Sequence, residues 1–188
     1  VLAHQLINQD SGEAEYYTPP EIIEAARATL GEIDLDPASS ARANEAVRAS
    51  RYFSETEDGL SLKWEGRIWL NHPFSRKGNS RWVNKLVGEY CAGRIEAACC
   101  ITFAATSEQW FAPLMGFPQC YLRPRTNYLT PDGRTKRGVT KGSVVTLIGG
   151  PFYQRRFLEH FRRMGSIMIP AYKWGVETYD LMQGDRNG

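Results

Sequence analysis

The sequence predicts an α/β fold with a mostly parallel sheet flanked by helices. Three observations carry this. Six short segments are apolar throughout rather than alternating, the pattern of strands buried on both faces. Helical patterns separate most of them, and strand–helix alternation implies parallel pairing. The 188 residues suit a single domain, 1–188, large enough to bury about 70% of its unfolded surface without a disulfide or metal staple.

The elements follow in order. Pro19–Leu30 reads as a helix with Ile22, Ile23, Ala26 and Leu30 on one face and Gly31 as its stop. Thr18 is placed as its N-cap, Pro19 at its first position, and Glu21 as the partner in a capping box. Ile33–Asp36 reads as a strand ending in an acid, followed by Pro37, Ala38, Ser39 and Ser40. Small residues there let a backbone approach a ligand closely; capping of a helix at about 40–49 is the competing role for Asp36. Asp58-Gly59-Leu60 reads as a turn. Gly66–Asn71 is the next strand, then a helix over 79–92, a strand Glu96–Ala104 and a helix over 107–115. Strands Gln119–Leu122, Ser143–Gly149 and Ser166–Ile169 complete the set. The last helix, Phe152–Met164, is expected to turn Phe157, Leu158, Phe161 and Met164 inward. Its Arg155, Arg156, Arg162 and Arg163 are expected to face water.

Composition bounds the function. Hydrophobic residues make up 42% and charged residues 23%, which argues against wholesale disorder. No run of about 18 apolar residues exists, so no membrane span is expected. Val1-Leu2-Ala3-His4 lacks the basic-then-apolar start of a secretory leader, and the missing Met points to trimming at that end. Cys91, Cys99, Cys100 and Cys120 make no Cys-x-x-Cys pair, so free thiols in a reducing cytoplasm are expected and a metal site is not. The net charge of +2 hides an asymmetry: residues 1–66 hold 5 Lys/Arg and 13 Asp/Glu, whereas residues 121–164 hold 10 and 2. A basic stretch in a near-neutral chain predicts a polyanion-binding face. Much of it lies in the long turn-rich loop after Leu122, with Pro131-Asp132-Gly133 at its tip; such loops are functional or disordered.

Ligands of α/β sheets sit beyond the carboxyl ends of strands. There stands Asn71-His72-Pro73-Phe74. The Asn71 side-chain carbonyl can accept a hydrogen bond from an amino group. Pro73 forces His72 out of the helical region, aiming its main-chain carbonyl at a second N–H. Phe74 offers a face for a planar base.

In this order, Thr18-Pro19-Pro20-Glu21, Asp34-Leu35-Asp36-Pro37-Ala38-Ser39, Tyr52-Phe53, Asp58-Gly59-Leu60 and Trp69-Leu70-Asn71-His72-Pro73-Phe74 resemble the phage-type, Dam-like DNA N6-adenine methyltransferases. The resemblance continues through Trp82, Lys85, Thr102–Thr106, Trp110-Phe111 and Cys120 to Arg125. It implies a Rossmann-like fold, S-adenosylmethionine as cofactor and double-stranded DNA as substrate, in the cytoplasm of a bacterial host. By position it assigns Tyr17, Thr18, Asp36, Pro37, Ala38, Ser39 and Asp58 to the cofactor and Asn71, His72, Pro73 and Phe74 to catalysis. DNA binding is expected of Arg123, Arg125, Arg134, Lys136, Arg137 and Lys141. The family has Pro where this chain has His72. That departure leaves open a catalytically silent DNA- or cofactor-binding homologue, or an imidazole that contacts the base or a phosphate. A protein or RNA amino group presents the same pair of hydrogens as adenine and stays open as a substrate.

Overall fold

The computed structural model describes residues 17–74, 78–130, 133–135 and 140–171. Seven strands form one sheet: β1 (Leu35–Asp36), β2 (Arg51–Tyr52), β3 (Gly66–Leu70), β4 (Ile95–Phe103), β5 (Gln119–Leu122), β6 (Ser143–Ile148) and β7 (Gly165–Met168). Their order is β2-β1-β3-β4-β6-β5-β7. Helices α1 (Pro20–Leu30), α2 (Ala41–Val47), α3 (Asn79–Cys91) and α4 (Pro151–Phe161) accompany them.

The sheet is mixed rather than mostly parallel. The pairs β2/β1, β1/β3 and β3/β4 are parallel; β4/β6, β6/β5 and β5/β7 are antiparallel. An unbroken apolar run records burial on both faces and carries no direction. All six residues of β6 are buried although it opposes β4. β1 through β5 therefore point one way, and β6 and β7 the other.

Two cores cover the two faces. Trp69, Cys99, Ile101 and Leu147 meet α1 and α4, with Ile23, Leu30, Phe157 and Phe161. Ile68, Leu70, Cys100 and Ile148 meet α3 and the 3-10 segment Gln109–Gly116, with Trp82, Leu86, Phe111 and Leu114. Alternate residues of β3 and β4 thus serve opposite cores, as the pleat requires. Among the described residues no helix is long and apolar enough to cross a membrane.

Several local expectations are corrected. Pro19, not Thr18, caps α1, and no side-chain cap bond forms; the Thr18 side chain is buried instead. In place of a helix over 107–115 stands the 3-10 helix Gln109–Gly116 with Pro113 inside it; Pro has no N–H for an α-helical bond. Leu158 is 42% exposed. Arg156 does not face water: its Nε donates to the Ala28 and Thr29 carbonyls at 3.0 and 2.9 Å, binding carbonyls that the end of α1 leaves free.

The topology positions the site. From β1 the chain moves outward to β2, then returns to the other side of β1 as β3. The crevice between the carboxyl ends of β1 and β3 is a topological switch point, where open α/β sheets hold ligands.

Candidate functional site

A cavity of about 420 Å³ opens at that crevice, inside the range of roughly 300–1,000 Å³ typical of small-molecule sites.

One wall is the turn after β1, from Asp36 to Ser39. The Phe53 N–H donates to the Asp36 carbonyl at 3.0 Å, and the Ser39 N–H to the Phe53 carbonyl at 2.9 Å. Asp58-Gly59 packs beside this turn so closely that a Cβ on Gly59 would lie 1.9 Å from the Pro37 carbonyl oxygen. Asp36 does not cap α2; Ser40 does, accepting from the Ala43 N–H at 3.2 Å. The Asp36 carboxylate accepts from the Ala38 N–H at 3.2 Å. It is only 2% exposed, and burial pushes its pKa up to about 7, the nearby Ser39 hydroxyl and the Ala38 N–H offsetting only part of that.

Tyr17 and Thr18 line the cavity too. The Thr18 hydroxyl is buried and has no hydrogen-bond partner among the described residues, a condition that polar groups avoid unless a ligand or water satisfies them.

The opposite wall is Asn71-His72-Pro73-Phe74, where β3 ends. The His72 imidazole is 1% exposed. It lies parallel to Trp82 with ring centroids 6.3 Å apart and edge-on to Phe74 at 5.3 Å. Its Nδ1 is 3.0 Å from the Pro73 carbonyl. A carbonyl only accepts, so Nδ1 carries the proton and Nε2 the lone pair. Burial pulls the pKa down to about 4, against the opposing effect of the Pro73 bond. A neutral ring has no charge to offer a phosphate. Phe74 also packs on Phe103 at 4.4 Å and edge-on to Tyr128 at 6.3 Å.

The basic loop does not stand apart from the cofactor turns. Tyr17 and Leu129 exchange backbone hydrogen bonds of 2.8 and 2.9 Å, and Leu129, Thr130 and Gly133 line the cavity. All residues assigned from the sequence to cofactor and catalysis meet in this one space. Among the described residues, the DNA-binding candidates do not line it. Arg123, Arg125, Arg134 and Lys141 are exposed; Lys136 and Arg137 lie outside the described residues. Lys141 reaches back, with its Nζ 5.4 Å above the Phe103 ring that supports Phe74.

Trp69, Arg42 and Ala43 also line the cavity and were not expected there. Arg42 and Ala43 carry only one sequence signal, their position just after the small-residue turn. Leu129 and Thr130 carry none, because their place depends on pairing with Tyr17.

Fold and cavity define an α/β protein with a small-molecule-sized cavity at the switch point of its sheet, lined by the strand-end Asn71 and by Phe74. The family model of DNA N-6-adenine-methyltransferase (Dam) matches residues 8–156. The chain belongs to this family of DNA adenine methyltransferases. No curated protein matches it.

Proposed function

We propose that the protein transfers a methyl group from S-adenosylmethionine to N6 of adenine in double-stranded DNA, on a Rossmann-like fold. The observation that carries this reading is the shared cavity: the acidic turn after β1 and the Asn71–Phe74 segment face one space at the switch point, in a member of this family.

The cavity suits the cofactor. Its volume, the unsatisfied Thr18 hydroxyl and the buried Asp36 carboxylate fit a polar ligand carrying positive charge. Tyr17, Thr18, Asp36, Pro37, Ala38 and Ser39 would hold it, with Asp58 towards its adenine end. When bound, the cofactor supplies an electrophilic sulfonium methyl.

The target adenine must leave the duplex, at a cost of a few kcal/mol. Stacking on Phe74 returns about 1–3 kcal/mol. The Asn71 side-chain carbonyl and the His72 main-chain carbonyl each accept one N6–H. Two acceptors favour a pyramidal nitrogen whose lone pair is free of the ring; as the N6–methyl bond formed and the sulfur–methyl bond broke, the cofactor would leave as a neutral thioether and N6 would shed one of its two protons to solvent. Positioning is then the main source of rate. No cysteine nucleophile is needed, and no Pro-Cys motif occurs. Arg123, Arg125, Arg134, Lys136, Arg137 and Lys141 would grip the DNA, phosphate contacts setting position and base contacts setting sequence.

Mass spectrometry of nucleosides from cells expressing the chain tests this. N6-methyladenine in DNA is the expected product. Methyl groups found only in RNA or on protein amides would redirect the reading, and none at all would end it.

Two variants probe the walls. Gly59→Ala forces a methyl group into the Pro37 carbonyl. It is expected to displace the turn after β1 and weaken S-adenosylmethionine binding at least tenfold by isothermal titration; unchanged affinity would separate Asp58-Gly59 from the cofactor. His72→Pro keeps the main-chain carbonyl and fixes φ near −65°. Turnover at or above the wild-type level is expected, with a lower melting temperature because the buried imidazole leaves a void against Trp82. A large loss of turnover in a folded variant would give the imidazole a chemical role.

A further inference from the structure

The far end of the sheet carries cations that the cavity does not use. β5 points the same way as β1 and β3, so Arg123, the first residue after it, lies on the sheet edge that bears the cavity. β7 points the other way, so Arg162 and Arg163, just before it, reach that same edge. The two stretches touch. The Arg123 N–H donates to the Met164 carbonyl at 2.8 Å, and Leu122 pairs with Gly165. A Cβ on Gly165 would sit 2.0 Å from the Tyr121 carbonyl oxygen, so the approach is as close as backbone permits.

Arg123, Arg162 and Arg163 are exposed. None forms an ion pair among the described residues, although Glu159 stands one turn before Arg162 and Arg163 on α4. Several cations on the other half of the sheet are instead neutralised by carboxylates. Arg27 and Arg48 are held by Glu24, Arg67 by Glu32 and Asp34, and Lys85 and Arg94 by Glu89. Guanidiniums left unpaired along an edge, outside the cavity, suit a polyanion running past them, and their fork geometry matches phosphate.

Position fixes what they would touch. From β3, which carries Asn71, to β7 is four strand steps. At about 4.8 Å per step this is about 19 Å. A duplex advances about 3.4 Å per base pair, so the distance spans about four to six base pairs.

We propose that Arg162 and Arg163, with Arg123, clamp the phosphates of duplex DNA about four to six base pairs to one side of the methylated adenine. The clamp rests on the reading that DNA is the substrate, and it moves the turn between α4 and β7 from solvated surface to binding surface.

The test uses the full chain and duplexes built around an adenine that it methylates. One duplex has about ten base pairs on each side; two others have one flank cut to about three. Arg162→Gln/Arg163→Gln is compared with wild type by fluorescence anisotropy across a salt series. On the long duplex the double variant should bind about tenfold more weakly, and its salt slope should fall by about 1.8, or about 0.9 for each phosphate no longer held. On the duplex lacking the clamp-side flank, wild type and variant should bind alike. Arg123→Gln should follow the same pattern with half the change in slope. Arg155→Gln, near the start of α4 and towards the opposite sheet edge, should match wild type throughout. Equal affinity and slope for the double variant on the long duplex would overturn the clamp, as would a loss that ignores flank length. A wild-type protein that methylates no DNA would instead overturn the underlying reading.

Discussion

Asn71→Ala is expected to lower single-turnover methyl transfer by about 10²-fold or more while cofactor affinity stays within a few-fold. The magnitude is that of removing one preorganised hydrogen-bonding group from a catalytic site. Asn71 follows the fully buried Leu70 at the end of β3, so its backbone is anchored by the strand. The acceptor it supplies acts on the reacting nitrogen, and its loss belongs to the chemical step rather than to cofactor binding. Single-turnover kinetics with labelled cofactor, alongside isothermal titration, separates the two. Near-normal transfer would remove Asn71 from the mechanism. A collapse of cofactor affinity with intact transfer at saturation would move it to the other wall of the cavity.

The candidate site was legible where its residues are adjacent in sequence. Asp36–Ser39 and Asn71–Phe74 each follow a buried strand, and an apolar run ending in polar and turn residues marks both the strand and its exit. What encloses them was not legible. The pairing of Tyr17 with Leu129 closes the cavity across most of the chain, and neither residue type announces it. The turn of Thr18 inward was hidden by a plausible capping box. The rotamer of His72 follows from Trp82 and Phe74 as neighbours, which no local pattern specifies. In the fold, β2 escaped notice because Arg51 and Tyr52 are exposed and half-buried rather than apolar. Strand direction escaped for a different reason: burial on both faces is the same for β4 and for the opposed β6.

Asp36→Asn is expected to make the unliganded protein more stable at pH 8 and to cost it the cofactor. The buried carboxyl has a folded pKa of about 7 against an ordinary value of 3.8. Its folded form therefore prefers the proton. The favourable contribution is complete below pH 4, declines as pH rises from about 4 to about 7, and is gone above that. At pH 8 the ionised group costs at most about 4 kcal/mol, from roughly 1.4 kcal/mol per pH unit. Asn is nearly isosteric, stays neutral and can still accept from the Ala38 N–H, so the variant should lack this decline. Thermal unfolding from pH 4 to 8 should show wild-type stability sloping down where the variant is flat. Cofactor binding should run the opposite way. A ligand bearing positive charge stabilises the carboxylate, so wild-type affinity should rise with pH towards about 7 and then level off. The variant should bind at least tenfold more weakly with no such rise. Identical pH profiles of stability in the two proteins would mean that Asp36 is not buried as a strained acid. Undiminished affinity in Asp36→Asn would mean that the turn after β1 does not use its charge.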